Sequence, residues 1–247
     1  MLTSMNEPTG NIVPPEAIAF LELQYPRSLH LLGLIRERAV SLVEYVPDGV
    51  LVKGKTSYGL LSTSAEATET LLSRISWNGP VSFSALPSKL AERVVARGTL
   101  SWRDHFWLCY LPREVDLPPP HTAVAALTPG DALTVQEYWP YGNESSIHYI
   151  RERIQRGITA GIRVGGELVA WGLTHTSGAM GFLHVLENHR RKGYAAEVTY
   201  RLVHQIRRRG DTPFVYISVR NEPSLGLAEK LGMVRVEQVE WLALKEP

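Results

Sequence analysis

The apolar positions of this chain change period several times, and each change marks an element. Ala195, Val198, Leu202 and Ile206 recur at helical spacing, which predicts a long helix over 193–209. Its last turn carries Arg207, Arg208 and Arg209, suited to the negative end of the helix dipole, and Gly210 stops it. Residues 159–164 and 168–174 read as strands around Gly165-Gly166, a tight hairpin signal. A third run, 180–186, follows the Ser177-Gly178 turn, so three strands form an antiparallel meander. Pro213 to Val219 predicts a further strand and Asn221 to Leu231 a helix closed by Gly232. Residues 234–236 and 239–244 suggest a final strand or hairpin. Before the meander, 122–127 reads as a strand and Pro129-Gly130-Asp131 opens a short helix through Glu137. Ser145 or Ser146 caps a helix running to Arg156, where Gly157 stops it.

The first part of the chain alternates in the same way. Helices are expected over 16–23, 28–38, 64–74 and 88–97, and strands over 43–46, 50–52, 58–62, 81–85 and 107–111. Between the two parts lies Asp116-Leu117-Pro118-Pro119-Pro120, whose prolines disfavour helix and central strand alike. The expected organisation is an N-terminal α/β domain over 1–117, a linker over 118–120 and a second domain over 121–247.

Composition narrows the classes. Lys plus Arg (26) nearly cancels Asp plus Glu (25), a net charge of +1, so there is no general attraction to nucleic acid. The single cysteine, Cys109, excludes an intramolecular disulfide and offers no zinc-binding spacing; a buried apolar role is expected for it. No stretch is long and apolar enough for a membrane span, and the first ten residues lack the pattern of a secretion signal, so a cytoplasmic location is expected. No metal is expected.

The candidate chemistry lies in the turn before the long helix: Glu187-Asn188-His189-Arg190-Arg191-Lys192-Gly193-Tyr194-Ala195. A helix starting near Gly193 leaves free N–H groups at its first turn, and its dipole favours an anion there. Gly193 has no Cβ and Ala195 a small one, so an anion can approach the backbone closely. Arg190, Arg191 and Lys192 oppose the dipole unless an anion joins them, and a diphosphate fits. Neither a Walker loop nor a dinucleotide fingerprint is present, because the glycine spacing of both is missing. A solvated basic surface and a nucleic-acid patch are the competing readings. The second is weakened because the expected helix of about 15 residues puts roughly 22 Å between this cluster and Arg207–Arg209.

Arg190-x-x-Gly193-x-Ala195 resembles the Arg/Gln-x-x-Gly-x-Gly/Ala motif of the GCN5-related N-acetyltransferase (GNAT) superfamily. Phe182-Leu183-His184-Val185 is similar to that family's fourth strand. Asn221-Glu222-Pro223-Ser224 with Leu231-Gly232-Met233 is similar to the end of its fifth strand and the helix after it. Val169 to Thr174, Gly193-Tyr194-Ala195-Ala196 and Asn221 to Leu225 resemble the glycine N-acyltransferase-like, or FR47-like, group within it. The resemblance implies a mixed α+β GNAT fold, with a mostly antiparallel sheet splayed between its fourth and fifth strands. A smaller α/β domain, itself a degenerate GNAT-like unit, would precede it.

By the same resemblance, the chain transfers an acyl group, acetyl foremost, from acetyl-CoA or another acyl-CoA to a primary amine without an acyl-enzyme. The pantetheine arm would lie along Val185, and an N–H at or near Leu186 would polarise the thioester carbonyl. The diphosphate would sit on Arg190 to Ala195, that is Arg190, Arg191, Lys192, Gly193, Tyr194 and Ala195, and Asn221 would hold its helix or touch the arm. The acceptor's proton needs a base. Glu144, His148, His175, His184, Glu187, Glu222 and Glu240 all qualify by type, and His184 is the best placed histidine. Two positions depart from the family. Ala228 stands where many members have a tyrosine acid, and Ala179 where the glycine-conjugating relatives have a glutamate. A non-catalytic acyl-CoA sensor or scaffold is therefore the alternative. The aromatic segment Tyr138-Trp139-Pro140-Tyr141-Gly142-Asn143 is expected to wall the acceptor side. A small-molecule amine is the expected partner ahead of a protein, with no nucleic acid or membrane, and a homodimer is left open.

Overall fold

The computed structural model describes residues 13–143 and 146–245. The chain forms two compact units, one of residues up to Arg103 together with those from Glu240 onward, the other Asp104–Val239.

Unit 1 opens with helices α1 (Pro15–Leu23) and α2 (Leu29–Arg36). Strands β1 (Val40–Val46), β2 (Gly49–Gly54) and β3 (Tyr58–Ser62) follow as an antiparallel meander. The first hairpin closes at Val46↔Gly49 around Pro47-Asp48, residue types that favour a turn. Helix α3 (Ala65–Ser73), strand β4 (Val81–Pro87), helix α4 (Ser88–Val95) and strand β5 (Thr99–Tyr110) complete the run. Strand β4 lies parallel to β3, in register at Tyr58↔Phe83. Leu51, Leu60, Leu71, Leu72, Phe83 and Leu86 fill the core of this unit.

In unit 2 a 3-10 turn (Pro129–Asp131) leads into α5 (Ala132–Glu137), and α6 (Ser146–Arg156) follows. Thr128 and Asp131 bond reciprocally to start α5, a capping box. Then come β6 (Thr159–Val164), β7 (Glu167–Thr174), β8 (Met180–Val185), α7 (Tyr194–Arg208), β9 (Phe214–Ser218), α8 (Glu222–Lys230) and β10 (Val234–Lys245). The β6–β7 turn is Gly165-Gly166, with φ of 59° and 88°, a left-handed pair that glycine adopts freely. Side chains alternate across the sheet. Ala160, Ile162 and Val169 pack with Val198, Leu202 and Ile206 of α7. Trp171, Leu173 and Phe182 pack with Val135 of α5 and with Ile150 and Ile154 of α6. Fully burying a side chain such as Leu202 or Ile150 stabilises by about 1.5–3 kcal/mol.

The terminal strands depart from expectation. Strand β5 is twelve residues long and passes from unit 1 into unit 2, where Phe106–Tyr110 pair with β9. Strand β10 is one continuous strand rather than a hairpin, and it passes the other way: Leu242 and Leu244 belong to the unit 1 core. The division therefore runs through two strands, and the expected boundary at 118–120 lies inside unit 2. Those prolines are strapped along α7. His204 Nε2 is 3.0 Å from the Pro118 carbonyl, Arg207 donates to the carbonyls of Pro112 and Val115, and Glu197 accepts from the amides of His121 and Thr122. Residues 122–127, expected as a strand, contribute one bridge, Ala125↔Gly161. The neighbouring amides of this stretch bond to side chains instead, Thr122 to Glu197 and Leu127 to Thr159.

Candidate active site

The meander of unit 2 ends on β8, and β8 is the first lip of a gap. Strand β9 lies parallel to it, and the two meet in register at Met180↔Val215, the early end of both. The other edge of β9 is paired with β5 from Phe106↔Ser218 to Tyr110↔Phe214. Among the described residues Met180↔Val215 is the one registered pair of β8 with β9, so residues 183–185 run on past it toward 218–220 without a ladder between them. A bulge helps to part them. Between Trp171↔His184 and Leu173↔Gly181, β8 takes three steps for two on β7, and Phe182 there has φ of 54°. Leu183 is 38% exposed, and His184 and Val185 are half-buried.

The backbone of the lip corrects one expectation. The Leu186 N–H donates to the Val169 carbonyl at 2.9 Å, so it cannot also polarise a thioester. Alternation along the strand turns the Val185 amide and carbonyl to the opposite edge, toward the gap. The Val185 carbonyl accepts from Arg190 Nε at 3.3 Å.

The basic turn follows directly. Helix α7 starts at Tyr194, with Gly193 as its N-cap at φ of 81°, and no side chain caps it. The first amides to find a helical acceptor are those of Ala196 and Glu197, both on the Gly193 carbonyl. The earlier amides, at Tyr194 and Ala195, lie in the part of the turn that helical geometry leaves without an acceptor. A Cβ built on Gly193 would meet nothing within 4 Å, and Arg191, Lys192 and Gly193 are exposed. This is an accessible cradle of amide hydrogens with the exposed Arg191 and Lys192 beside it. Arg190 folds back instead, to Val185 and toward Glu187 at 3.9 Å. The Tyr194 ring stacks over His189 at 6.3 Å.

The base candidates separate clearly. His184 lies on the lip itself, stacked on Trp171 at 4.9 Å and packed against the tilted ring of Tyr138 at 4.7 Å. Burial, and then the charge of Arg190, lower its pKa, which keeps the imidazole neutral and able to accept a proton near pH 7. His175 pairs its Nδ1 with the Tyr149 hydroxyl at 3.1 Å and packs on Phe182 at 4.5 Å. Burial and then Arg153 push its pKa down to about 4. Glu222 is exposed in the first turn of α8, and His148 and Glu187 are exposed as well. Glu240 is buried in unit 1, bonded to Arg103 at 2.6 and 3.0 Å, which makes it a structural ion pair. Glu144 lies outside the described residues. Asn221 caps α8, accepting from the Ser224 amide at 3.1 Å.

Around Ala228 there is a cavity of about 280 Å³ lined also by Cys109, Leu225, Glu229, Met233 and Arg235, a set without a hydroxyl. Burial pushes the Cys109 thiol up to about 11, so it is neutral and no nucleophile. Sequence reasoning missed Phe106 and Asp104. They reach this face from β5, and the sequence holds no sign that β5 leaves its own unit.

The FR47-like protein family model matches residues 156–242, the stretch that holds β8, the basic turn, α7, β9 and α8. The match covers about a third of the chain, and the fold is that of the GNAT acetyltransferases. A solved Drosophila protein is similar over 95% of this chain and 99% of its own, with a TM-score of 0.73 at 18% identity. An acetyltransferase of the GNAT family from Colwellia psychrerythraea covers 87% of this chain and 97% of its own, with a TM-score of 0.54 at 12% identity. A GCN5-related N-acetyltransferase from Sphaerobacter thermophilus covers 98% of both, with a TM-score of 0.53 at 14% identity. No curated protein matches the sequence. At these identities the structural likeness establishes the GNAT fold, and the chemistry has to be argued from the residues of this chain.

Proposed function

We propose that this GNAT-fold protein is an N-acyltransferase that moves an acyl group, acetyl foremost, from coenzyme A to a primary amine. The carrying observation is the adjacency of two features: a parted pair of strands, β8 and β9, and the uncapped N-terminus of α7 at the end of the first. The amides from Arg191 to Ala195 would take the diphosphate, with Arg191 and Lys192 adding charge. The pantetheine arm would run along the free edge of β8, bonding to Val185 as an added strand does. A gap-facing amide of β8, such as that of Val185, would then polarise the thioester carbonyl, the role first assigned to Leu186.

The acceptor nitrogen attacks the thioester carbon. The C–N bond forms, the C–S bond breaks and the thiolate leaves. His184 takes the proton lost by the amine, directly or through one water. No acyl-enzyme is required, and the buried, neutral Cys109 is unsuited to forming one.

A sensor that binds acyl-CoA without turning it over is the second reading. The observation in its favour is Ala228, which brings no hydroxyl to α8 for protonating the thiolate. The two readings part in one experiment. Calorimetry should show saturable coenzyme A binding, and thiol detection over a panel of amines should show release in the presence of acetyl-CoA. Binding without release from any amine supports the sensor, and no binding by well-folded protein rules out both.

A further inference from the structure

Residues 138–143, which follow α5, carry aromatic rings to β8 and to β5. At one end Tyr138 packs at a tilt against His184 of β8 and meets Trp171 edge-on at 5.6 Å. At the other end Tyr141 packs on Phe106 of β5 at 6.1 Å, and Phe106 is paired with Ser218 of β9. Between them Trp139 sits on Phe182 at 4.6 Å. These residues thus reach from the first lip to the strand behind the second. Tyr138 and Tyr141 keep 41% and 56% of their surface exposed, so ring faces remain for a ligand.

Charges of both signs lie near these rings. Arg190 acts on His184, and Arg153 acts on His175. The carboxylate that acts on Tyr141, Asp104, faces Arg220 at 3.9 Å. Glu137 lines a separate surface depression with Leu133, Gln136, Gly142 and Asn143. A polyamine would find Asp104 and Glu187 already facing arginines. A flat apolar body finds rings at every contact.

We propose that the acceptor is a primary amine carried on an aromatic or similarly flat apolar body, held by Tyr138 and Tyr141 with its nitrogen directed at the thioester. This rests on the acyltransferase reading and adds the acceptor's class to it.

The test uses the full chain, acetyl-CoA and thiol detection with phenethylamine, tryptamine, spermidine, glycine and a short lysine peptide. The two arylalkylamines should exceed the other three in kcat/KM by about tenfold or more. A Tyr138→Leu, Tyr141→Leu double variant should raise KM for phenethylamine roughly tenfold while its coenzyme A affinity, which also reports its folding, stays unchanged. Preference for spermidine, glycine or the peptide overturns the proposal, as does an unchanged KM in the double variant. If no amine releases thiol, calorimetry of phenethylamine against the coenzyme A-saturated chain decides the matter separately. Saturable binding that the double variant loses upholds the aromatic site while the acyltransferase reading falls, and absence of binding removes the site.

Discussion

The two units follow one element order: two helices, a three-strand meander, a helix, a parallel strand, a helix and a long last strand. Each has a parallel pair in register near its start, Tyr58↔Phe83 in unit 1 and Met180↔Val215 in unit 2. Their chemistry differs at two places. In unit 1 the last strand of the meander is buried from Gly59 to Ser62, and the following helix is capped by its own Ser64, which accepts from the Ala67 amide at 3.1 Å. Glu66 adds an acid to that first turn. In unit 2 the corresponding strand is open from Leu183 to Val185, and the corresponding helix has a left-handed glycine, two exposed cations and no side-chain cap. A fold can be kept while its anion site is closed by a serine and a glutamate. Unit 1 thus shares the element order of unit 2 while its corresponding helix start is capped by its own side chain.

The largest expected effect tests the chemistry of the open unit. His184→Gln should lower kcat by about a hundredfold or more, the usual range for a lost general base. In the parent protein kcat/KM should fall as pH drops through the His184 pKa, which lies below 6.5, since protonation removes the base form. That limb should be missing from the variant. A smaller effect is expected in binding. Gly193→Leu places a side chain at φ of 81° and over the amide cradle, while nothing within 4 Å obstructs folding. With left-handed strain of about 1–2 kcal/mol as one part of the cost, coenzyme A should bind roughly tenfold weaker or worse by calorimetry. The same titration on the parent should give one site per chain; two sites would break the comparison between the units. Smaller again, Arg191→Ala with Lys192→Ala should weaken binding several-fold at low salt and less at high salt, because both groups are exposed and screened. The smallest change falls on unit 1: Ser64→Ala should cost about 1 kcal/mol of stability, read from the denaturant midpoint, and leave coenzyme A affinity untouched.

Most of this was legible in the residues. Local signals gave local results: Gly165-Gly166 closed its hairpin, Ser64 started its helix, and the charges that oppose the dipole around Gly193 marked the uncapped turn. What escaped depends on partners distant in sequence. Alternation identifies Phe106 and Leu242 as strand residues but says nothing of which sheet receives them. The proline run looked like a linker because composition cannot reveal that Glu197, His204 and Arg207 of α7 would hold the segment around it. The Leu186 amide looked free until the register of β8 against β7 assigned it to Val169. Asp104 and Phe106 show no role along the chain, because only the pairing of β5 with β9 brings Asp104 to Arg220 and Phe106 to Tyr141.

The crossing of the long last strands bears on how the protein is made. Strand β4 emerges from the ribosome long before its neighbour β10, whose Leu242 and Leu244 are 0% and 1% exposed among the residues of the first unit. That unit, begun first, can be finished only after nearly all of the other has been translated. Shortening the chain before residue 240 should therefore damage the half that was synthesised earliest, and a nascent chain paused there should need shelter for an unfilled apolar edge.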